Sequence, residues 1–320
     1  MKKIKFLLMS MVAAVLVSCG TTNTVPITGR KQNLMVSDGE ILSLSTQQYQ
    51  EFMKTAKVST DATKTAMVKR VGQNLANAVV SYMNANGLQN DVQNYNWTFN
   101  LVADNQANAW CMPGGLIVVY EGILPITQDE ASLAIVLGHE IAHAVARHSA
   151  EQMSKQIKQQ YGVQGLGALA TILGVGSNTV SFGQAMANQG LSFLNLKYSR
   201  DHENEADHMG LIFAAMAGYD PSAAVTFWQR MSAASTNNTA EFLSDHPSDA
   251  TRIKNIQGWL PEAQNYYKPK TTTTKKTTTT KKKTTTKKTT TKKTAEKKTA
   301  EKKTTEKKTT AKKTTKKETK

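Results

Sequence analysis

The sequence predicts an α+β fold that is rich in helix and has a small β-sheet. Strand character is confined to Trp97–Ala103 and Leu116–Tyr120, where β-branched and aromatic residues cluster. Apolar residues recur at helical spacing over most of the remaining body, at about residues 38–55, 60–86, 128–158, 202–217, 221–235 and 247–258. About 240 residues lie between two ends of unlike composition, which is enough for one globular domain with a proper core.

The predicted helix over 128–158 carries the first chemical signal. Thr127 to Glu130 is interpreted as a capping box that opens this helix. An apolar stripe then continues it to about His148, through Leu133, Leu137, Ile141 and Val145.

Within this helix the chain reads His139-Glu140-Ile141-Ala142-His143. Residues four apart share one helix face, so His139 and His143 can bind one metal ion, while Glu140 lies about 100° round the helix. This pattern is typical of zinc peptidases. The alternative is an amphipathic helix with two core histidines, which would leave the charged Glu140 buried and unpaired between them.

A third ligand has to come from another segment. Glu203 and Asp207 are four apart and share a face of the helix over 202–217, whereas Glu205, about 200° from Glu203, points away. We expect Glu203 to be the third ligand and Asp207 to orient a ligand side chain from behind. The alternative for this pair is a solvated acidic helix start.

The other positions near the motif narrow the class. A metzincin would have Gly and His where this chain has Ala146 and Ser149, so that class is excluded. His148 lies about 140° from His143 on a continuous helix, and we expect it to be a surface or capping residue. His202 and His208 flank the second motif off its ligand face and are expected to be bystanders.

The chain resembles the HtpX and CAAX-prenyl-protease type of gluzincin, metallopeptidase family forty-eight, and more closely its periplasmic lipoprotein and chaperone-protease branch. The resemblance depends on Ser199–Asp207, on Asn108–Gly115 upstream and on His246-Pro247 downstream, in the family's order. It runs from about Pro26, through Thr28–Gln32, to about Trp259.

The resemblance implies further roles. Asn108 and Ala109 would lead into an edge strand beside the active helix, where an extended peptide binds by strand addition. His246 would either stabilise the transition state or cap the resting metal; the alternative is that it only caps the last helix. Zn²⁺ on His139, His143 and Glu203, with Glu140 as the base, would make the protein an endopeptidase.

The function expected is cleavage of unfolded or misassembled envelope proteins, that is, protein quality control. Two alternatives stay open: a lipid-anchored chaperone or binding module with a dormant zinc site, and a protein that tethers polyanions through its basic tail.

The amino terminus predicts export. Residues 1–18 combine early lysines with a short apolar stretch, which is typical of a secretory signal. Leu16-Val17-Ser18-Cys19 resembles a lipobox, so we expect cleavage before Cys19, acylation of its thiol and a stable bilayer anchor. The following residues are not acidic, which favours the outer membrane, facing the periplasm. Cys111 is the remaining cysteine and is expected to be a core residue.

The carboxyl terminus has a different composition. Residues 268–320 hold 22 Lys and 4 Glu and no large apolar side chain, so this segment cannot bury a core and is expected to be disordered. It could be a solubilising spacer or could bind anionic envelope polymers; no physiological nucleic acid is expected. The predicted organisation is a signal (1–18), a lipid-anchored linker (19–33), the peptidase domain (34–267) and this tail.

The stretch from Gly162 to Gly190 is rich in Gly, Ala and Ser. Its apolar part is too short to span a bilayer. It could form a lid over the cleft, and an ordinary packed helical hairpin is the alternative.

Overall fold

The computed structural model describes residues 21–161, 192–235, 242, 246 and 251–269. The predicted signal, Cys19, the predicted lid, Pro247 and nearly all of the basic tail lie outside these residues, and the predicted domain limits remain predictions.

The architecture is the helix-rich α+β fold with small sheets that the sequence predicts. The helices are α1 Asp38–Thr55, α2 Ala62–Ala85, α3 Leu124–Thr127, α4 Glu130–Val145, α5 His148–Tyr161, α6 Arg200–Met216, α7 Ala223–Ser235 and α8 Arg252–Tyr266. The strands are β1 Thr21–Thr24, β2 Lys31–Leu34, β3 Thr98–Val102, β4 Ala109–Met112 and β5 Leu116–Tyr120.

The larger sheet has the order β3-β5-β4, with β3 and β5 parallel and β4 antiparallel to β5. All five residues of β5 are buried, which explains its unbroken apolar sequence. Gly114 and Gly115, both at positive φ, make the turn between β4 and β5. The predicted edge strand after Asn108 is therefore present as β4.

The second sheet is a hairpin that the sequence analysis did not predict. β1 and β2 pair antiparallel from Thr21 against Leu34 to Thr24 against Lys31, and all of these residues except Leu34 belong to the stretch interpreted as a linker. Polar threonines and asparagines hide this pairing from a search for alternating apolar residues.

The prediction of one helix over 128–158 is wrong, because α4 ends at Val145 and α5 begins at His148. Arg147 lies between them in the left-handed region, at φ 55°. Its guanidinium donates to both carboxylate oxygens of Asp38, at 3.0 and 2.8 Å, and lies 3.2 Å from Asp91. These ion pairs hold a backbone conformation that a non-glycine residue rarely adopts.

Two further helix limits differ from the prediction. The residue that caps α4 is Asp129, which accepts from the backbone N–H of Ser132, and Thr127 belongs to the preceding short helix. The last helix, placed at 247–258, begins at Arg252 and continues through Pro261 to Tyr266. The prediction ended it too early because a proline inside a helix is normally excluded.

The site is built where α4 crosses α6. Every residue of α4 from Ser132 to Val145 is buried, so this helix runs through the middle of the core. At the crossing, a Cβ on Gly138 would lie 2.7 Å from the carbonyl oxygen of Gly210, and one on Gly210 would lie 2.8 Å from the backbone nitrogen of His139. Two glycines thus let the backbones meet and bring the ligand residues of both helices together. None of the described helices is long and apolar enough to cross a membrane.

Candidate metal centre and active site

Helix α4 presents His139 and His143 on one face, as their spacing predicts. Both are 1% exposed, and Glu140 beside them is 2% exposed. Glu203 lies in the first turn of α6; Ser199 caps this helix by accepting from the backbone N–H of His202, and its carbonyl accepts from the backbone N–H of Glu203. His246 is 4% exposed and its backbone N–H donates to the carbonyl of Phe242.

Donor atoms from these residues converge on one point. His139 Nε2 lies 3.0 Å from His143 Nε2 and 3.3 Å from His246 Nδ1. The Glu203 carboxylate oxygens lie 3.3 Å from His139 Nε2, 3.5 Å from His143 Nε2 and 3.2 Å from His246 Nδ1.

These separations fit a tetrahedral metal ion. Zinc with bonds of about 2.0–2.1 Å to N and O ligands places neighbouring donors about 3.3 Å apart. Oε2 of Glu203 is buried and accepts no hydrogen bond from any described residue, so a cation would satisfy it. His139, His143, Glu203 and His246 are thus four residues that can hold one metal ion together.

His139 is held from behind by Asp207, the position at which the sequence predicts an orienting carboxylate. Nδ1 of His139 lies 2.9 Å from Asp207 Oδ1, so the ring donates there and Nε2 faces the cluster. Burial lowers the pKa of His139, but its hydrogen bond to Asp207 and the negative charges of Asp207 and Glu203 outweigh this effect and raise that pKa to about 9. Metal binding at this nitrogen would therefore release a proton.

Sequence reasoning missed Arg252, the first residue of α8. Its guanidinium donates from Nη2 to Asp207 Oδ1 at 2.7 Å, and Nε lies 2.7 Å from Oδ2. It also stacks over the ring of Trp228, 3.4 Å from its centre. Arg252 is 4% exposed and no local pattern marks it, because the carboxylate that it meets lies 45 residues away.

The expectation for His148 is wrong. It is fully buried, and its Nδ1 lies 2.9 Å from Nδ1 of His143. The break at Arg147 turns the chain, so the angle expected on a continuous helix does not apply. Nε2 of His148 lies 2.9 Å from Oε2 of Glu205, which points away from the donor cluster as predicted.

The groups behind His143 combine neutral imidazoles with an ionised carboxylate. Burial lowers the pKa of His148 to about 4, so its ring is neutral. Burial raises the pKa of Glu205, but hydrogen bonds from His148, Arg30 and Thr28 outweigh it and lower that pKa to about 2. Burial lowers the pKa of His143 itself to well below its ordinary value, which leaves a neutral imidazole.

Glu140 lies beside the cluster and not in it. Burial raises the pKa of its carboxyl, and its Oε1 lies 3.5 Å from Nε2 of His246. The ring of Tyr198 stacks on His143 at 4.1 Å between centres, and its hydroxyl is within 2.8 Å of Ser149 Oγ. A carboxylate held close to the cluster in a buried site has the position of a general base.

A cleft opens onto this site along the edge strand. It is lined by Asn108, Ala109 and Trp110 at the edge strand, by Leu194 and Tyr198, and by Glu140 and His246 of the site. Cys111 of β4 is buried, and burial raises the pKa of its thiol well above the ordinary value, which agrees with a core role.

The two flanking histidines lie outside the donor cluster, as expected. His202 stacks on His148 and pairs with Glu151 at 3.2 Å. His208 pairs with Glu262 at 2.6 Å and stacks on Trp259.

Comparison with known proteins places the chain in one family. The model of peptidase family M48 matches residues 62–260, which include His139, Glu140, His143, Glu203 and His246. The chain is similar to the mitochondrial metalloendopeptidase OMA1 of Schizosaccharomyces pombe (40% identity over 171 residues, 52% of this chain and 48% of that protein). It is also similar to human OMA1 (30% over 243 residues, 74% and 46%) and to the beta-barrel assembly-enhancing protease of Yersinia pestis (30% over 186 residues, 56% and 36%).

A helix crossing that gathers two imidazoles, a carboxylate and a neighbouring glutamate defines the metallopeptidase class. The chain belongs to peptidase family M48. It spans about half or less of the length of these relatives.

Proposed function

We propose that the protein is a zinc-dependent endopeptidase that cleaves unfolded polypeptides. The observation that carries the proposal is the buried donor cluster of His139, His143 and Glu203 with the carboxylate of Glu140 beside it. The family assignment supports the same chemistry. Zinc bound there would supply a Lewis acid that acidifies a water molecule and polarises the scissile carbonyl.

Glu140 is the proton carrier of the reaction. Its buried carboxylate accepts a proton from the attacking water and returns it to the departing amine. The raised pKa of Glu140 suits both steps, because a carboxyl that titrates closer to neutrality can accept and release the proton.

Substrate would bind as an added strand on β4. Tyr120 donates its N–H to the carbonyl of Asn108, so the backbone groups of the next residue, Ala109, face the edge of the sheet. The N–H of Ala109 donates there to Oδ1 of Asn108 at 2.8 Å, and its carbonyl is the group that a substrate N–H would meet. A polypeptide paired along this edge would be recognised through its main chain, which suits unfolded substrates of varied sequence.

His246 is proposed to cap the resting site. Its Nδ1 lies among the other donor atoms, at 3.2–3.3 Å from Glu203 and His139, so it takes the position that the fourth ligand needs. Substrate must displace it, and the restrained basal activity that follows would protect correctly folded neighbours. The same geometry favours, as a second function, a binding module that holds unfolded chains while the site is dormant.

The setting is proposed to be the bacterial cell envelope. Lipid attachment at Cys19 would anchor the protein to a membrane. The outer membrane is the proposed site, with the peptidase domain facing the periplasm. The name of the Yersinia relative supports unfolded or misassembled envelope proteins as substrates. The tail of 268–320 would add contacts with anionic envelope polymers, and we expect no nucleic acid as a physiological partner.

The test is cleavage by the full chain, with Glu140→Gln as the matched control. Denatured outer-membrane barrels should be cut in the presence of zinc, and the same barrels folded in detergent micelles should not. Glu140→Gln should cut neither. Equal cleavage of folded and unfolded barrels would contradict the substrate class, and no cleavage of either by wild type would favour the binding module.

A further inference from the structure

The hairpin of β1 and β2 lies before residues 62–260, which the family model matches, and its turn contacts residues that lie behind the metal site. Its turn is tightly built: Val25 donates to the carbonyl of Arg30, Gly29 donates to that of Val25, and both Ile27 and Gly29 have positive φ. This turn directs Thr28 and Arg30, which are both half-buried, toward Glu205 on α6.

Both side chains hold the carboxylate of Glu205. Thr28 Oγ1 donates to Oε1 of Glu205, and Nε of Arg30 donates to Oε2 at 2.8 Å. Nη2 of Arg30 also donates to Glu151 on α5, at 2.8 Å. The planar fork of an arginine can join two carboxylates in this way, and a lysine cannot do so with the same geometry.

The hairpin is also fixed against the helix break. Nε2 of Gln32 donates to the carbonyl of Ala146 at 3.1 Å, and the backbone N–H of Met35 donates to Ser154 Oγ at 2.9 Å. Val25 and Gln32 are buried. The position of Arg30 relative to α4 and α5 is therefore set by several independent contacts.

Hydrogen-bond directions can be followed from the hairpin to the metal site. The carboxylate of Glu205 accepts from both Thr28 and Arg30, so it is also the acceptor in its bond with His148, and Nε2 of His148 is the donor. Nδ1 of His148 then carries no proton and accepts from Nδ1–H of His143. This leaves the lone pair of Nε2 of His143 directed at the donor cluster, which is the tautomer that binds a metal.

We propose that Arg30, with Thr28, is a positioning residue of the metal site, which acts through Glu205 and His148 on the orientation and tautomer of His143. The inference rests on the proposed function for the role of His143 as a ligand. It assigns to the active site a segment that lies before residues 62–260, the part matched by the family model, and that the predicted domain organisation places in a linker. A chain that is anchored through its amino terminus would thus have its metal site joined to the anchored end through a short, well-fixed hairpin.

The test uses the full chain and measures Zn²⁺ affinity by competition with a chelator. Arg30→Gln should weaken Zn²⁺ binding by about 10- to 100-fold, the usual loss when a partner behind a ligand is removed. Arg30→Lys should recover only part of the loss. Lys31→Gln, at an exposed position of the same hairpin, is the matched control and should bind Zn²⁺ like wild type.

A double-variant cycle tests the route through His148. The affinity loss in Arg30→Gln/His148→Gln should be close to that of His148→Gln alone, because both changes break one chain of contacts. Nitrogen-15 spectra of the metal-free protein should show His143 protonated at Nδ1 in wild type and a mixture of tautomers in Arg30→Gln. A purely stabilising arginine would change the melting temperature and neither of these readouts.

Two results would overturn the inference: Zn²⁺ affinity in Arg30→Gln equal to that in Lys31→Gln, or losses that add fully in the double variant. If Arg30→Gln does not fold, Thr28→Val carries the same measurement, and an unchanged affinity there has the same meaning. Affinity and tautomer are measured without substrate. A wild-type protein that cleaves no polypeptide would therefore contradict the proposed function and leave these results interpretable.

Discussion

His139 and His143, the two imidazoles of α4, are oriented by different kinds of hydrogen-bond partner at Nδ1. His139 donates directly to a carboxylate, Asp207, which Arg252 in turn holds with two of its nitrogens. His143 meets a second histidine, His148, and the carboxylate comes only after it.

The difference shows which parts of the site local sequence spacing can specify. Asp207, which supports His139, lies four residues after Glu203 on α6, so helical spacing predicts its position. The support of His143 depends on a helix break at Arg147 and on a hairpin from the amino-terminal end, and neither has a local pattern. The contacts behind His139 can therefore be predicted from the sequence, whereas the contacts behind His143 become visible only in the folded structure.

The largest effect on stability and Zn²⁺ binding is expected at the glycine pair where α4 crosses α6, because the positions of both His139 and His143 depend on this crossing. Gly210→Val would force side-chain atoms into the backbone of α4, at 2.8 Å from the nitrogen of His139 even at Cβ. We expect the helices to separate, with a destabilisation of about 3 kcal/mol or more and loss of Zn²⁺ binding. Thermal unfolding and metal content check this. Gly258→Ala in α8, which meets nothing within 4 Å, is the control, and wild-type stability in Gly210→Val would contradict the crossing geometry.

Removing the carboxylate behind His139 should have the next largest effect. Asp207→Ala should weaken Zn²⁺ affinity by about 10- to 100-fold, because the ring loses the acceptor that fixes its tautomer. Asp207→Asn keeps an oxygen for the ring and should lose less. A chelator titration measures both variants. Equal affinities in wild type and Asp207→Ala would show that Asp207 serves the fold alone.

A smaller change of opposite sign is expected at His246. If it caps the resting metal, His246→Ala should raise basal peptide cleavage several-fold, because the fourth position is no longer filled by a side chain, and Zn²⁺ should be retained by the other three ligands. Peptidase rates at equal metal loading decide it. A decrease of roughly 100-fold with metal retained would instead assign His246 to the transition state.

The smallest effect expected is a pH dependence of the unfolding free energy that comes from Glu151, a partner of Arg30. Burial raises the pKa of Glu151, but the hydrogen bonds and charges of His202 and Arg30 outweigh it and hold that pKa well below the ordinary range. A carboxyl with a lowered pKa stabilises the folded state above its ordinary pKa, and this stability is lost as the pH falls. Wild type should therefore exceed Glu151→Gln in unfolding free energy at pH 6, by an amount that shrinks below about pH 4. A difference that is constant with pH would contradict the charge assignment.

The sequence predicts the elements that local periodicity encodes. Apolar spacing gave α1 at its observed limits and the strand Leu116–Tyr120, and the four-residue spacings placed His139, His143 and Glu203 on facing helices. Arg252 and Arg30 could not be predicted in this way, because each meets carboxylates that are distant in the chain. His148 was misjudged because one left-handed residue, Arg147, changes the direction of every position after it.

The most direct test of the central claim measures zinc content and hydrolysis together in three proteins. Glu140→Gln should keep about one zinc per chain and lose hydrolysis by about 100-fold or more, since a general base is absent and the ligands are intact. Glu203→Ala should lose both zinc and hydrolysis, whereas wild type has both. Wild-type hydrolysis in Glu140→Gln, or wild-type zinc content in Glu203→Ala, would contradict the assignment of base and ligand.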